Sequence, residues 1–123
     1  MTPQQLIDAI QAVLSPDLLK KEYREKNRDN PLYGHCYAAS EALYHLLGGK
    51  NSGWKPHCGR DEQNVTHWWL ANAAGERLDP TAGQYTSVGL TPPYEAGRGN
   101  GFLTSKPSKR AQVIIGRISE KPS

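Results

Sequence analysis

Three short stretches hold residues whose types and spacing can do chemistry. They are "YGHCYAASEALYHLLGG" from Tyr33 to Gly49, "THWWLAN" from Thr66 to Asn72 and "RLDPTAGQY" from Arg77 to Tyr85. The first places Cys36 at the start of a helical segment that ends at Gly48-Gly49. A thiol at a helix N-terminus meets the positive end of the macrodipole and several free N–H groups, and both favour thiolate over thiol. An imidazolium nearby acts in the same direction, and the backbone N–H of the same residue is placed to meet an oxyanion forming on a carbonyl under attack. Two histidines compete as base. His35 adjoins the cysteine, so its side chain is expected to point away. His67 lies 31 residues on, in a strand that can pack across Cys36. Asp79 is then the group that orients the imidazole through its far nitrogen.

Strand register tests this arrangement. A two- or four-residue loop at Ala74-Gly75 puts His67 and Asp79 on opposite faces of the hairpin. A three-residue loop, Ala73-Ala74-Gly75, pairs residue 72 with 76 and Trp69 with Asp79. His67 is then the diagonal neighbour of Asp79 on the same face, within side-chain reach. That loop type needs a left-handed residue last, and Gly75 supplies it.

The elements that must position these residues follow from periodicity. A first helix runs from about Pro3 to Leu14, with Thr2 as N-cap, Pro3 at the first position and Gln5 completing a capping box. Leu6, Ile10 and Leu14, with Ala9 and Val13, form its stripe. A mostly charged second helix follows from Pro16 to about Asn27, with Leu18, Leu19 and Tyr23 as its contacts. Residues 28–34 read as loop. The third helix, Cys36 to Leu47, places Cys36, Ala39, Ser40, Leu43 and Leu47 on one inward face, and His45 is expected outside. Gly49 to Asn64 reads as a long loop holding at most a short strand. Strands follow at Val65–Asn72 and Arg77–Thr81, then a Gly- and Pro-rich loop to Phe102. Ser105 to Ile118 closes the chain as a helix with Pro107 in its first turn, although "QVIIG" also suits a strand. The expected fold is one α+β domain over residues 1–123, a central helix packed on a short antiparallel sheet with further helices outside.

The order and spacing of "GHCYAASEAL", "THWWLAN" and "RLDPTAGQY" resemble the core of transglutaminase-like enzymes within the wider papain-like group. The resemblance covers roughly residues 33–85. It implies Cys36 as nucleophile, His67 as base and Asp79 as orienting acid, with no cofactor, acting on a protein, a peptide or an amide-bearing small molecule. The expected reaction is thiol-dependent acyl transfer or hydrolysis at an amide, isopeptide or thioester. Relatives use a side chain upstream of the nucleophile at the oxyanion, and Tyr33 and Asn30 are the candidates here. His35, Trp68 and Trp69 are the remaining substrate or oxyanion candidates, one tryptophan walling the cleft and the other in the core. "HCYAASEALYHLLGG" and "PPYEAGRGNGFLTSKPSKRA" also resemble small uncharacterised bacteriophage proteins, which implies no activity. The alternative is a non-enzymatic binder, such as a phage factor that blocks a host protein.

Taken singly, each residue has a structural alternative: a buried inert thiol, a core histidine, an aspartate capping a turn. Cys36, His57, Cys58 and His67 are two thiols and two imidazoles, but zinc sites use close-spaced ligand pairs, and adjacent His57 and Cys58 point apart. No metal is expected. "GRGNG" at 97–101 lacks the G-x-G-x-x-G spacing and a P-loop lysine, and reads instead as a mobile loop beside the cleft. Composition agrees with a globular chain: of 123 residues, 37% are hydrophobic and 22% charged, with 12 Gly and 9 Pro. No run of about 18 apolar residues occurs, so no membrane span is expected. The N-terminal stretch lacks a basic n-region and carries Asp8 in its apolar periodicity, so a helix is expected rather than a signal, with reduced thiols and a cytoplasmic location. Net charge is +3, and residues 97–121 hold six basic side chains (Arg98, Lys106, Lys109, Arg110, Arg117, Lys121) against Glu120. Such an end suits either a solvated face or contact with nucleic acid or an acidic protein.

Overall fold

The computed structural model describes residues 1–103 and 105–120. Its elements run α1 (Pro3–Val13), α2 (Lys21–Asp29), α3 (Cys36–Leu46), β1 (Lys55–Arg60), β2 (Thr66–Ala71), β3 (Arg77–Leu78), α4 (Gly83–Thr86), β4 (Arg98–Gly99) and α5 (Lys109–Glu120). The strands form one antiparallel sheet in the order β3-β2-β1-β4. This is an α+β fold, as expected. Among the described residues, no helix is long and apolar enough to cross a membrane.

The core forms where α1, α3 and α5 meet the sheet. Ile10, Leu43, Leu70 and Ile114 are fully buried in it. Thr2 caps α1, and its side chain and that of Gln5 satisfy each other's backbone N–H groups. At the start of α5, Glu41 is buried in α3 and accepts both the N–H and the hydroxyl of Ser108, at 3.1 and 2.6 Å. That pairing docks α5 on α3 and makes "QVIIG" helix rather than strand.

The second helix departs from expectation. Pro16–Leu18 is a single 3-10 turn, Lys20 is extended, and α2 starts at Lys21. Leu18 and Leu19 are both buried, and the break leaves the Pro16 and Leu19 carbonyls to accept from Arg24 Nε at 3.1 and 3.2 Å. Tyr23 is exposed and meets Tyr33 rather than the core. A second difference is β1, which occupies the stretch read mainly as loop. Pro56 and Gly59 are poor strand formers, but β1 is an inner strand, paired with β2 on one side and β4 on the other. Gly59 is required there: a Cβ would lie 2.9 Å from the Pro93 carbonyl oxygen. The glycine-rich "GRGNG" contributes β4, and "PPYE" feeds a 3-10 turn at Tyr94–Ala96. His45 is half-buried against Tyr44 rather than outside.

The β2–β3 register is the one the three-residue loop demands. Leu70 pairs with Leu78 and Ala71 with Arg77. Asn72 N–H reaches the Glu76 carbonyl at 3.1 Å, and Gly75 has φ +81°. β3 stops two residues in, because Asp79 Oδ1 accepts the Thr81 N–H at 3.1 Å and turns the chain.

Gly97 packs directly on the sheet: a Cβ there would sit 2.2 Å from Trp69 Cζ2. Gly97→Ala is therefore expected to lower stability by about 1–3 kcal/mol, as overpacking does. Urea unfolding monitored by tryptophan fluorescence checks this, with a lower midpoint and an unchanged slope as the expected result.

Candidate active site

Cys36 reaches its place through the chain that precedes it. Asn27, buried at the end of α2, donates to the Pro31 and Tyr33 carbonyls, each at 2.9 Å. Gly34 then takes φ +85°, with Leu19 packed against its α-carbon. α3 starts at the cysteine with no side-chain cap, so its first-turn N–H groups lack intrahelical acceptors. The half-buried thiol donates to the Thr66 carbonyl, 3.7 Å away at the start of β2.

The next residue, His67, is fully buried, and its Nε2 lies 2.7 Å from Asp79 Oδ2. Its Nδ1 has no hydrogen-bond partner among the described residues. The ring is clamped between Trp69, stacked at 5.7 Å, and the edge of Tyr85, at 4.9 Å. Burial pulls the imidazole toward its neutral form, but the hydrogen bond and charge of Asp79, together with the nearby Cys36 sulfur, outweigh it and raise its pKa to about 9. The thiol, bonded to the carbonyl of the residue before His67, thus lies beside the imidazole–carboxylate pair, and the three form one cluster.

The other candidates separate. His35 is 1% exposed, and neither of its ring nitrogens has a partner among the described residues. Burial first, then the charge of Arg110, lowers its pKa to about 4, so it is neutral near pH 7 and adds no positive charge beside the thiol. Trp69 is core, 2% exposed. Trp68, on the opposite face of β2, is half-buried between Tyr37 and Phe102. It lines a groove of about 590 Å³ with Cys58 and Arg98. The Asn30 side-chain amide donates one of its two N–H groups to the Gln84 carbonyl at 2.8 Å. His57 and Cys58 face opposite sides of the sheet, opposite Trp69 and Trp68. At the basic end, Arg117 is tied to the Val13 carbonyl and to Asp17, and Lys121 lies outside the described residues.

Two tyrosines outside the expected triad complete the site. Tyr94 donates to Asp79 Oδ2 at 2.8 Å, and Tyr85 donates to Asp61 Oδ2 at 2.9 Å. Burial first, then the neighbouring carboxylate, holds each phenol above its ordinary range, so both remain donors. Tyr85 ends the third motif and is legible there as an aromatic. Tyr94 lies 15 residues past Asp79 in a loop, with no periodic signal.

A groove of about 1030 Å³ runs alongside, lined by Tyr33, Tyr85, Tyr94, Val65, Val88 and Leu90 among others. Cys36, His67 and Asp79 do not line it. The two tyrosines that touch His67 and Asp79 form the wall between groove and cluster. Comparison with known protein families, curated proteins and solved structures returns no match.

The His67–Asp79 pair links stability to pH. The folded-state pKa of His67 stands above its ordinary 6.5, so the contribution is complete below that value and is lost as pH rises through about 9. Wild type and Asp79→Asn are therefore expected to differ most in urea midpoint at about pH 6, and the gap narrows above about pH 9.

Proposed function

We propose that the protein is a thiol-dependent acyl transferase or hydrolase with a transglutaminase-like or papain-like core. The observation that carries this reading is His67, bonded through Nε2 to Asp79 while its Nδ1 has no partner among the described residues and the Cys36 thiol lies against the backbone of the preceding residue. In the reaction, His67 holds the proton given up by Cys36 as an imidazolium, the form its raised pKa favours near neutral pH, and the Cys36 thiolate attacks the carbonyl carbon of an amide, isopeptide or thioester. The carbonyl π electrons move to oxygen, which is met by the uncapped N–H groups of α3. The intermediate collapses and the C–N or C–S bond breaks. The leaving amine or thiol takes the proton back from His67, and an S-acyl group remains on Cys36. Water or an amine then gives its proton to His67 and attacks the thioester, and the sulfur is released. Asp79 keeps one tautomer and one ring orientation throughout. The nearby groove, with three exposed aliphatic side chains at Val65, Val88 and Leu90, suits a protein or peptide as acyl donor.

A second reading, a non-enzymatic binder, is favoured by one observation: the groove of about 1030 Å³ is lined by none of the three cluster residues.

Alkylation with iodoacetamide, followed on Cys36 by mass spectrometry, separates the two. For an enzyme, Cys36 labels faster near neutral pH than a free thiol, and His67→Ala slows labelling by about 10- to 100-fold. Peptide thioesters then leave an acyl mass on Cys36. Labelling at the rate of a free thiol, indifferent to His67, sinks the acyl-transfer reading in favour of the binder.

A further inference from the structure

Asp79 holds more donors than a two-membered His–Asp pair needs. Its Oδ1 takes the Thr81 N–H at 3.1 Å, and its Oδ2 takes both His67 Nε2, at 2.7 Å, and the Tyr94 hydroxyl, at 2.8 Å. Tyr94 is itself held from two sides. The Trp69 ring meets it edge-on at 5.2 Å, and the Arg77 guanidinium lies 4.1 Å over its face. Trp69 also stacks on His67, so one indole sets the spacing of both donors on the shared oxygen. The same tyrosine ring faces the groove.

We propose that Tyr94 is a positioning residue of the His67–Asp79 pair, dividing the hydrogen-bonding capacity of one carboxylate oxygen between the imidazole and a phenol that also lines the groove. The proposal deepens the acyl-transfer reading and rests on it for its catalytic meaning. An oxygen that accepts two hydrogen bonds offers less negative charge to each donor, so the phenol weakens the hold of Asp79 on a protonated His67. A substrate that draws the Tyr94 hydroxyl toward the groove returns that capacity to the imidazole. Occupancy of the groove thereby tunes the base, although none of the three cluster residues lines it. The titratable groups that face His67 are Cys36 from α3, Asp79 after β3 and Tyr85 from α4. Asp61 acts behind Tyr85, and Arg77 from β3 acts behind Tyr94.

The test is an NMR titration of the His67 ring nitrogens. In Tyr94→Phe, which keeps the ring and removes only the hydroxyl, the midpoint is expected to rise by about half a pH unit or more. A purely structural role lowers thermal stability and leaves the midpoint where it is. Site-specific incorporation of 3-fluorotyrosine at position 94 removes no side chain and makes that phenol a stronger donor, so it is expected to move the midpoint down. An unchanged midpoint in both proteins, or a lower one in Tyr94→Phe, overturns the proposal. The same titration in a Cys36→Ser background gives the same direction of shift without any thiol chemistry. Failure of this inference is therefore read separately from failure of the alkylation test.

Discussion

The hydrogen bond between His67 and Asp79 is the constraint on which the rest of the site depends. A buried imidazole by itself favours the neutral form, and a buried carboxylate by itself is costly. Together they are stable only at hydrogen-bond distance, and the backbone must hold them there. It does so through the β2–β3 register. Shifting that register by one residue would send Asp79 to the opposite face of the sheet and leave a buried, unpaired histidine behind Trp69. The turn at Gly75 and the side-chain bond from Asp79 Oδ1 to Thr81 therefore act on the same problem from two ends of one short strand.

The thiol is delivered by different means. Cys36 belongs to no strand, and its position follows from a buried asparagine, a left-handed glycine and the packing of α3 on β2. Asn27 gathers two carbonyls of the loop, Gly34 lets it turn, and Ser40 Oγ ties α3 to the Trp68 carbonyl at 3.1 Å. His35, just before the thiol, packs inward rather than toward the cluster. A buried ring whose nitrogens lack partners costs stability unless it stays neutral, which agrees with its lowered pKa. Of the two histidines near Cys36 in sequence or space, the fold thus keeps one uncharged in the core and charges the other beside a carboxylate.

Around this cluster the aromatic residues divide by strand alternation. Odd positions of β2 put His67 and Trp69 on the face shared with Tyr85 and Tyr94, and even positions put Trp68 and Leu70 toward Phe102 and the helical core. Under the acyl-transfer reading this separation is useful. The face carrying the base is walled by tyrosines whose hydroxyls are fixed by carboxylates, and the opposite face does the work of stability.

Local sequence determined the helix start at Cys36, the capping box of α1, the glycine stop after α3 and the three-residue turn that sets His67 and Asp79 on one face. Each depends on neighbours a few residues apart, so capping chemistry, periodicity and turn preference were enough to read them. Tertiary structure alone decided the rest. β1 is a strand because β2 and β4 flank it, despite Pro56 and Gly59. The second helix is interrupted at Leu19, where Leu18 packs into the helical core. Tyr94 reaches Asp79 only after an irregular loop has folded back over the sheet. Those outcomes are set by contacts between residues far apart in the chain, where burial and hydrogen-bond satisfaction outweigh local propensity.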